Sequence, residues 1–480
     1  MLDPPFSIVQ NIFKAPHSPI LVTTCPWVGL NRNILCDFLD TADGTIGVAP
    51  AYGQNCVLSA LAFASTSKVL LVRMPKWEVK LKTANTQGGE LLEEFIFCAS
   101  SQKFAFQMDV LSTSLFIDLG LRLCGGVDLL SVATDARHSR AAILDSMGGV
   151  GYLNARNAIS LFEGTEEIKP TDVALQAWVA WRAATLGAQR LIMQPRIDTI
   201  IFAEPRLSVL AKIVRDACRL DALKPTWVRN EIANDYDHNG GELHVLSTRF
   251  KNRVRLTDQR IEIHGMDQGR PITVSGNAKR VDGRSAHIEL QSNLPSGKIE
   301  VTTVGREPPN GAERQRTEIT LKALQATSPI LDRPFFRAIW LPHEPLVWPA
   351  GLLSGRTAPI HFPRQLNESQ KTAVEAILSS TPVNIIHGPP GTGKTTVIAA
   401  AVTSLRASAS HRTVWLVAQS NVAVKNIAEK LASVNFLDFK LLVSIDFHYD
   451  WCDHPVSFIG LYRYMLSQGM NTSTRKSIRI

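Results

Sequence analysis

The seven cysteines, at positions 25, 36, 56, 98, 124, 218 and 452, form no C-x-x-C pair. That absence excludes a zinc ribbon and a dithiol redox site, and it fits a reducing compartment. No apolar run reaches the ~18–20 residues of a bilayer-spanning helix. The start, Met1-Leu2-Asp3-Pro4-Pro5, lacks the charged opening and apolar core of a secretory signal. An intracellular protein, cytoplasmic or nuclear, without membrane contact is expected. Internal repeats and low-complexity tracts are missing too, so solenoids and long biased tails are excluded. What is present is a composition of 45% hydrophobic and 20% charged residues over 480 positions, enough for about three domains with cores of their own. The formal net charge of +8 permits an anionic partner without requiring one.

One run carries specific chemistry. His387-Gly388-Pro389-Pro390-Gly391-Thr392-Gly393-Lys394-Thr395-Thr396 fits the phosphate-binding pattern G-x-x-x-x-G-K-[ST]. The apolar stretch Val383-Asn384-Ile385-Ile386 reads as a strand entering the loop, and Val397 to Val402 as the helix leaving it. Gly388, Gly391 and Gly393 let backbone N–H groups wrap phosphates at a helix N-terminus. Lys394 brings a point charge to the β and γ phosphates, and the Thr395 hydroxyl is suited to Mg2+. A nucleoside triphosphate with Mg2+ is the expected ligand.

The rest of the chain divides by pattern into a multidomain α/β protein. Residues 1–194 alternate short apolar strands with helical stretches, an α/β signature. Residues 195–342 open with a helical pattern around Leu207 to Arg215, and from about 242 to 325 read as β-rich and Gly-punctuated, which suggests a small barrel. A Pro-rich connection then leads into residues 343–480, the nucleotide domain. Within the β-rich part Arg249, Lys251, Arg253 and Arg255 recur every second residue, so a strand there would present one basic face, with Phe250, Val254 and Leu256 on the other. Such a stripe can track a phosphate backbone, or be a solvated face.

Two motifs flank the loop. Upstream, Leu366-Asn367-Glu368-Ser369-Gln370 precedes an apolar helix pattern, and a Gln amide can pair with adenine at two points. Downstream, Thr413 to Ala418 reads as a strand ending in Gln419-Ser420-Asn421, where an α/β sheet contacts ligands, followed by a helix from Val422 to Leu431. The arrangement closely resembles the amino-terminal half of the superfamily 1 helicase core, in the subgroup of the nonsense-mediated-decay RNA helicase. The resemblance implies a partial RecA-like P-loop domain that binds ATP. Gln370 would read adenine, residues Gly388 to Thr396 would hold ATP with Mg2+, and Ser420 and Asn421 would touch single-stranded RNA or DNA. It also implies a helical stalk and small β-barrel ahead of that domain, over residues 195–342.

Hydrolysis in this family needs an acid on a neighbouring strand and usually an arginine. No Asp-Glu pair follows the P-loop before the chain stops. A truncated helicase, or a docking module with residual ATP binding, is therefore expected. Asp446, after Leu441 to Ile445, is the one candidate for the acid, though the family pattern puts its acid much later, and His448, Cys452 and His454 are too few for a zinc site.

Residues 44–74 read as a three-stranded meander and resemble the opening of RNase H-like 3′-5′ exonucleases. Ala49 and Ala51 stand where that family places an Asp-x-Glu. Lys103 to Asp109 resembles its second motif with Asp109 as the acid, and Trp178 to Ala183 the third, with Arg182 at the final Asp. One acid cannot hold two metals, so a degenerate domain without nuclease activity is expected, serving to dock nucleic acid or protein.

Overall fold

The computed structural model describes residues 3–479 apart from 75–85, 134–136, 138, 164–168, 231, 233–235, 240, 248–253, 255–259, 268–269, 283–284, 295, 305–308, 349–357, 380–382, 409–412 and 443–477. The chain divides into two compact units, Met1–His343 and Glu344–Ile480.

The first unit opens with a seven-stranded sheet of β1 (Phe6–Ile8), β2 (Ile20–Pro26), β3 (Thr45–Tyr52), β4 (Leu58–Ala64), β5 (Lys68–Arg73), β6 (Gln102–Ala105) and β7 (Gly126–Asp128). Their order is β1-β2-β5-β4-β3-β6-β7. The expected meander is β3-β4-β5, antiparallel throughout, while β6 and β7 run parallel to β3. Both faces of the central strands are covered. On one, Ile46, Val48, Leu61, Phe63, Leu70 and Val72 form a core of large side chains. On the other lie the smaller Ala49, Ala51, Ala60, Ala62 and Ala64.

The small face exists because the Pro170–Leu186 helix lies very close to it. At Gly47 an added Cβ would stand 2.2 Å from the Ala177 carbonyl oxygen and 2.3 Å from the Trp181 nitrogen. Ala49 and Ala51 belong to this contact: each is buried, and a carboxylate in either place would be desolvated against a helix. On the large face, the Met108–Leu119 helix packs beside the Glu204–Ala222 helix. A buried ion pair joins them, Arg215 Nη2 to Asp118 Oδ2 at 2.6 Å, and the same carboxylate accepts from the Leu58 N–H at 3.0 Å.

The β-rich part holds β8 (Trp227–Asn230), β9 (Asp237–Asn239), β10 (Glu242–Leu246), β11 (Arg260–Asp267), β12 (Arg270–Asp282), β13 (Ser285–Leu290) and β14 (Ser296–Val304). They make one antiparallel sheet of order β8-β14-β11-β12-β13-β10-β9 around Leu243, Val245, Val254, Ile261, Ile263 and Val301. A bridge between Ile232 and Ser247, just beyond β8 and β10, draws distant parts of the sheet together. The β pattern expected to reach about residue 325 stops at Val304. Asn310 and Glu313 form a capping box that starts the Gly311–Leu324 helix. Lys224, which follows the helix entering the β-rich part, bonds Glu313 in the helix leaving it at 2.9 Å, so the two connections are clamped together.

In the second unit the described helices are Glu368–Leu378, Lys394–Ser408 and Asn421–Ala432. They share two small cores, one around Ala399, Val402, Val424 and Leu431 and one around Val374, Leu378, Val397 and Ala400. The strands expected at Val383–Ile386 and Thr413–Ala418 are not formed as ladders, beyond a single bridge residue at Trp415. Ile385 is 92% exposed and Val417 89%. Interior strands of an α/β sheet are buried only when neighbours pair on both sides, and no ladder among the described residues flanks these two. No helix is long and apolar enough to cross a membrane, among the residues described.

Candidate functional site

The phosphate loop begins at exposed backbone and ends at the first turn of the Lys394–Ser408 helix. Its last N–H groups therefore stand at a helix N-terminus, where the dipole favours anions. Gly391 and Gly393 carry left-handed backbone, φ +82° and +87°. At Gly388 a Cβ would stand 2.9 Å from Thr392 Oγ1, which is bonded to the Pro389 carbonyl at 2.9 Å. Lys394 Nζ donates to the carbonyls of Gly388 at 2.7 Å and Pro389 at 2.8 Å, so the ammonium is held over the loop.

Gln370 is brought to the same place. It is the third residue of its helix, and the Asn367 side chain accepts from its N–H at 2.8 Å while its Oε1 accepts from the Asn367 N–H at 3.2 Å. This reciprocal cap fixes the side chain. Its Nε2 then donates to the Thr392 carbonyl at 3.1 Å, and a Cβ on Gly393 would stand 2.5 Å from that nitrogen. The upstream motif and the loop are thus one structure. A Gln amide has two donors and an oxygen with two lone pairs. These two bonds use one of each, and one donor and one lone pair remain for a base. The loop and Gln370 fit a purine nucleotide. Backbone N–H groups from Gly391 to Thr396 with Lys394 would hold its phosphates, and Thr395, at the first helical turn, would offer a hydroxyl to Mg2+.

Of the expected strand contacts, Ser420 caps its helix, its hydroxyl accepting from the Ala423 N–H at 3.2 Å, and Asn421 is the first helical residue. Ser420 is exposed. Arg249, Lys251, Arg253 and Arg255 lie outside the described residues, as do Asp446, His448, Cys452 and His454.

The first unit contains a second cluster, only half of which was visible in the sequence. Gln107, with left-handed backbone at φ 59°, turns the chain from β6 into the Met108–Leu119 helix and sets Asp109 in its first turn. Asp128 ends β7 and accepts from the Met108 N–H at 2.9 Å. Arg137 lies across both acids, donating from Nη1 to Asp109 Oδ2 at 3.0 Å and from Nε to Asp128 Oδ2 at 2.9 Å. Ser131 adds a bond to Asp128 at 3.1 Å. Both carboxylates are fully buried. Burial alone would lower the Arg137 guanidinium, but the charges of Asp109 and Asp128 outweigh it and drive it up, so the cation is permanent. Arg182 is not part of this cluster. It lines a hollow with Phe13, His17 and Tyr152.

Comparison with known proteins places the second unit. A family model described as an AAA domain matches residues 365–443. Together with its similar proteins this match supports a superfamily 1 helicase core and an ATP-binding protein of that type. The chain is 33% identical over 121 residues to the ATP-dependent helicase upf1 of Schizosaccharomyces pombe, covering 24% of this chain and 13% of that protein. It is 48% identical over 67 residues to the DNA-binding protein SMUBP-2 of Rattus norvegicus, covering 14% and 7%. To the Regulator of nonsense transcripts 1 homolog of Drosophila melanogaster it is 34% identical over 116 residues, covering 24% and 9%. The match therefore spans 13% or less of each of these relatives. Among solved structures, the RNase D of Trypanosoma brucei is similar over 40% of this chain and 72% of its own, at 13% identity. Its TM-score of 0.25 is too low to carry an argument.

Proposed function

We propose that the second unit binds ATP with Mg2+ as the first RecA-like part of a superfamily 1 helicase core, acting on single-stranded RNA or DNA. The observation that carries this reading is the bond from Gln370 Nε2 to the Thr392 carbonyl, which ties a base-reading amide to the phosphate loop. Ser420 and Asn421, and the stripe Arg249, Lys251, Arg253 and Arg255 of a small barrel, are the proposed contacts to the strand. The domain over residues 1–194 is proposed to be RNase H-like in ancestry, silent as a nuclease and retained for docking. The bonds from Arg137 to Asp109 and Asp128 support this, because they occupy oxygens that a divalent cation would need.

Nucleotide selectivity tests the reading. Gln370→Ala is expected to narrow the preference for ATP over GTP by about tenfold, the worth of a lost bidentate base contact, while leaving phosphate-dependent binding in place. An unchanged ATP-to-GTP ratio would reduce Gln370 to a helix cap.

A further inference from the structure

The loop from Val9 to His17 borders two adjoining hollows of about 390 and 130 Å3, of whose lining only Trp178 and Arg182 fall in a motif read from the sequence. The loop is rigid. Gln10 is 9% exposed, and its side chain accepts from the N–H groups of Ile12 and Phe13 and donates to the carbonyls of Phe13 and Ala15. Beside the hollow, the Lys14 N–H donates to the Tyr152 carbonyl, and the Asn154 N–H to the Ile12 carbonyl. These bonds hold the two walls in register, so the space is part of the fold.

Its chemistry is one-sided. Lys14, His17 and Arg182 line it, and among the described residues no Asp or Glu does. The Arg182 guanidinium has no partner among the described residues. Lys14 Nζ spends two of its donors on the carbonyls of Val150 and Gly151 and keeps the third. The floor is apolar, with Phe13 and Trp178 buried and His17 set edge-on to Trp178 at 4.7 Å. Tyr152 stands at the rim, 68% exposed.

We infer that this hollow seats one nucleotide of a single strand, with the base against the Tyr152 ring and the neighbouring phosphate between Arg182 and Lys14. Two cations without a carboxylate select a phosphate, and an exposed flat ring beside them selects a base over an acidic peptide. The size suits one small ligand. The inference rests on the docking role proposed above for residues 1–194 and gives that role a place.

The test uses the full chain and an oligouridylate carrying one 5-iodouracil, irradiated and mapped by peptide mass spectrometry. Cross-links are expected on the peptide containing Tyr152. They should vanish there in Tyr152→Ala, a surface change that spares the fold, and fall about fivefold or more in Lys14→Glu/Arg182→Glu, the scale of a lost charge-assisted phosphate contact. Cross-links confined to other peptides and indifferent to these variants would overturn the pocket while leaving single-strand binding elsewhere intact. No cross-link anywhere would overturn both the pocket and the single-strand reading.

Discussion

Arg137 meets Asp109 end-on, two guanidinium N–H groups facing two carboxylate oxygens, in a site where both partners are largely removed from water. A buried charge stripped of its partner is costly, about 3–5 kcal/mol for a broken buried pair. Arg137→Ala is therefore expected to lower the unfolding free energy by about that amount, because it strands Asp109 and Asp128 together. A denaturant titration showing a loss under about 1 kcal/mol would mean that the cluster is solvated.

The same cluster predicts the absence of a chemistry. The wild-type chain is expected to leave a labelled single strand intact with Mg2+ or Mn2+. Metal-dependent shortening of the strand that Asp109→Ala abolishes would show that the acids are free to hold metal.

The clamp at the base of the β-rich part is sensitive to acid. Burial alone would raise the Glu313 carboxyl, but hydrogen bonds from Lys224 and the Asn310 N–H outweigh it and hold it below its ordinary value. A carboxyl depressed in the folded state adds stability above the unfolded value of about 4.3, and that stability is lost as pH falls through the folded value. Thermal stability should therefore drop as the pH falls below about 4.3, and Glu313→Gln should remove part of that slope. Identical slopes for the two proteins would place the acid sensitivity elsewhere.

Gly393 is fixed by two independent constraints, φ +87° and the Gln370 amide 2.5 Å from where a Cβ would lie. Gly393→Ala should weaken ATP binding by at least about tenfold, since left-handed backbone costs an L-residue roughly 1–2 kcal/mol before any clash. Measured against Gln370→Ala alone, so that the lost base contact cancels, the double variant should show a smaller Gly393→Ala penalty, reduced only by the part due to the clash. No penalty for Gly393→Ala in the Gln370→Ala background would show that backbone conformation is unimportant there.

Local patterns were readable in the sequence, and long-range partners were not. The loop glycines, the helix beginning after Leu366-Asn367 and the meander β3-β4-β5 follow from residue type and spacing over a few positions. Asp109 was visible as the acid of a stretch resembling the second exonuclease motif, but nothing local marks Arg137, whose role arises only when β6 and β7 lie side by side. Ala49 and Ala51 read as missing acids, and in the fold they are the small residues that a close helix requires. The apolar runs at Val383 and Thr413 have strand composition, yet a strand is defined by its neighbours, and no described ladder supplies them. The hollow behind Val9 to His17 joins residues far apart in the chain, and only Lys14 and Arg182 could have hinted at it.

Titration of a fluorescent ATP analogue in Mg2+ against the wild-type chain and Lys394→Ala tests the central claim most directly. Lys394 is exposed and its ammonium bonds only loop carbonyls among the described contacts, so its loss should leave the fold intact. Saturable binding by the wild type, weakened by about a hundredfold or more in the variant as befits a charge-assisted phosphate contact, is the predicted result. Equal affinities for the two proteins, or no saturable binding by the wild type, would contradict the account.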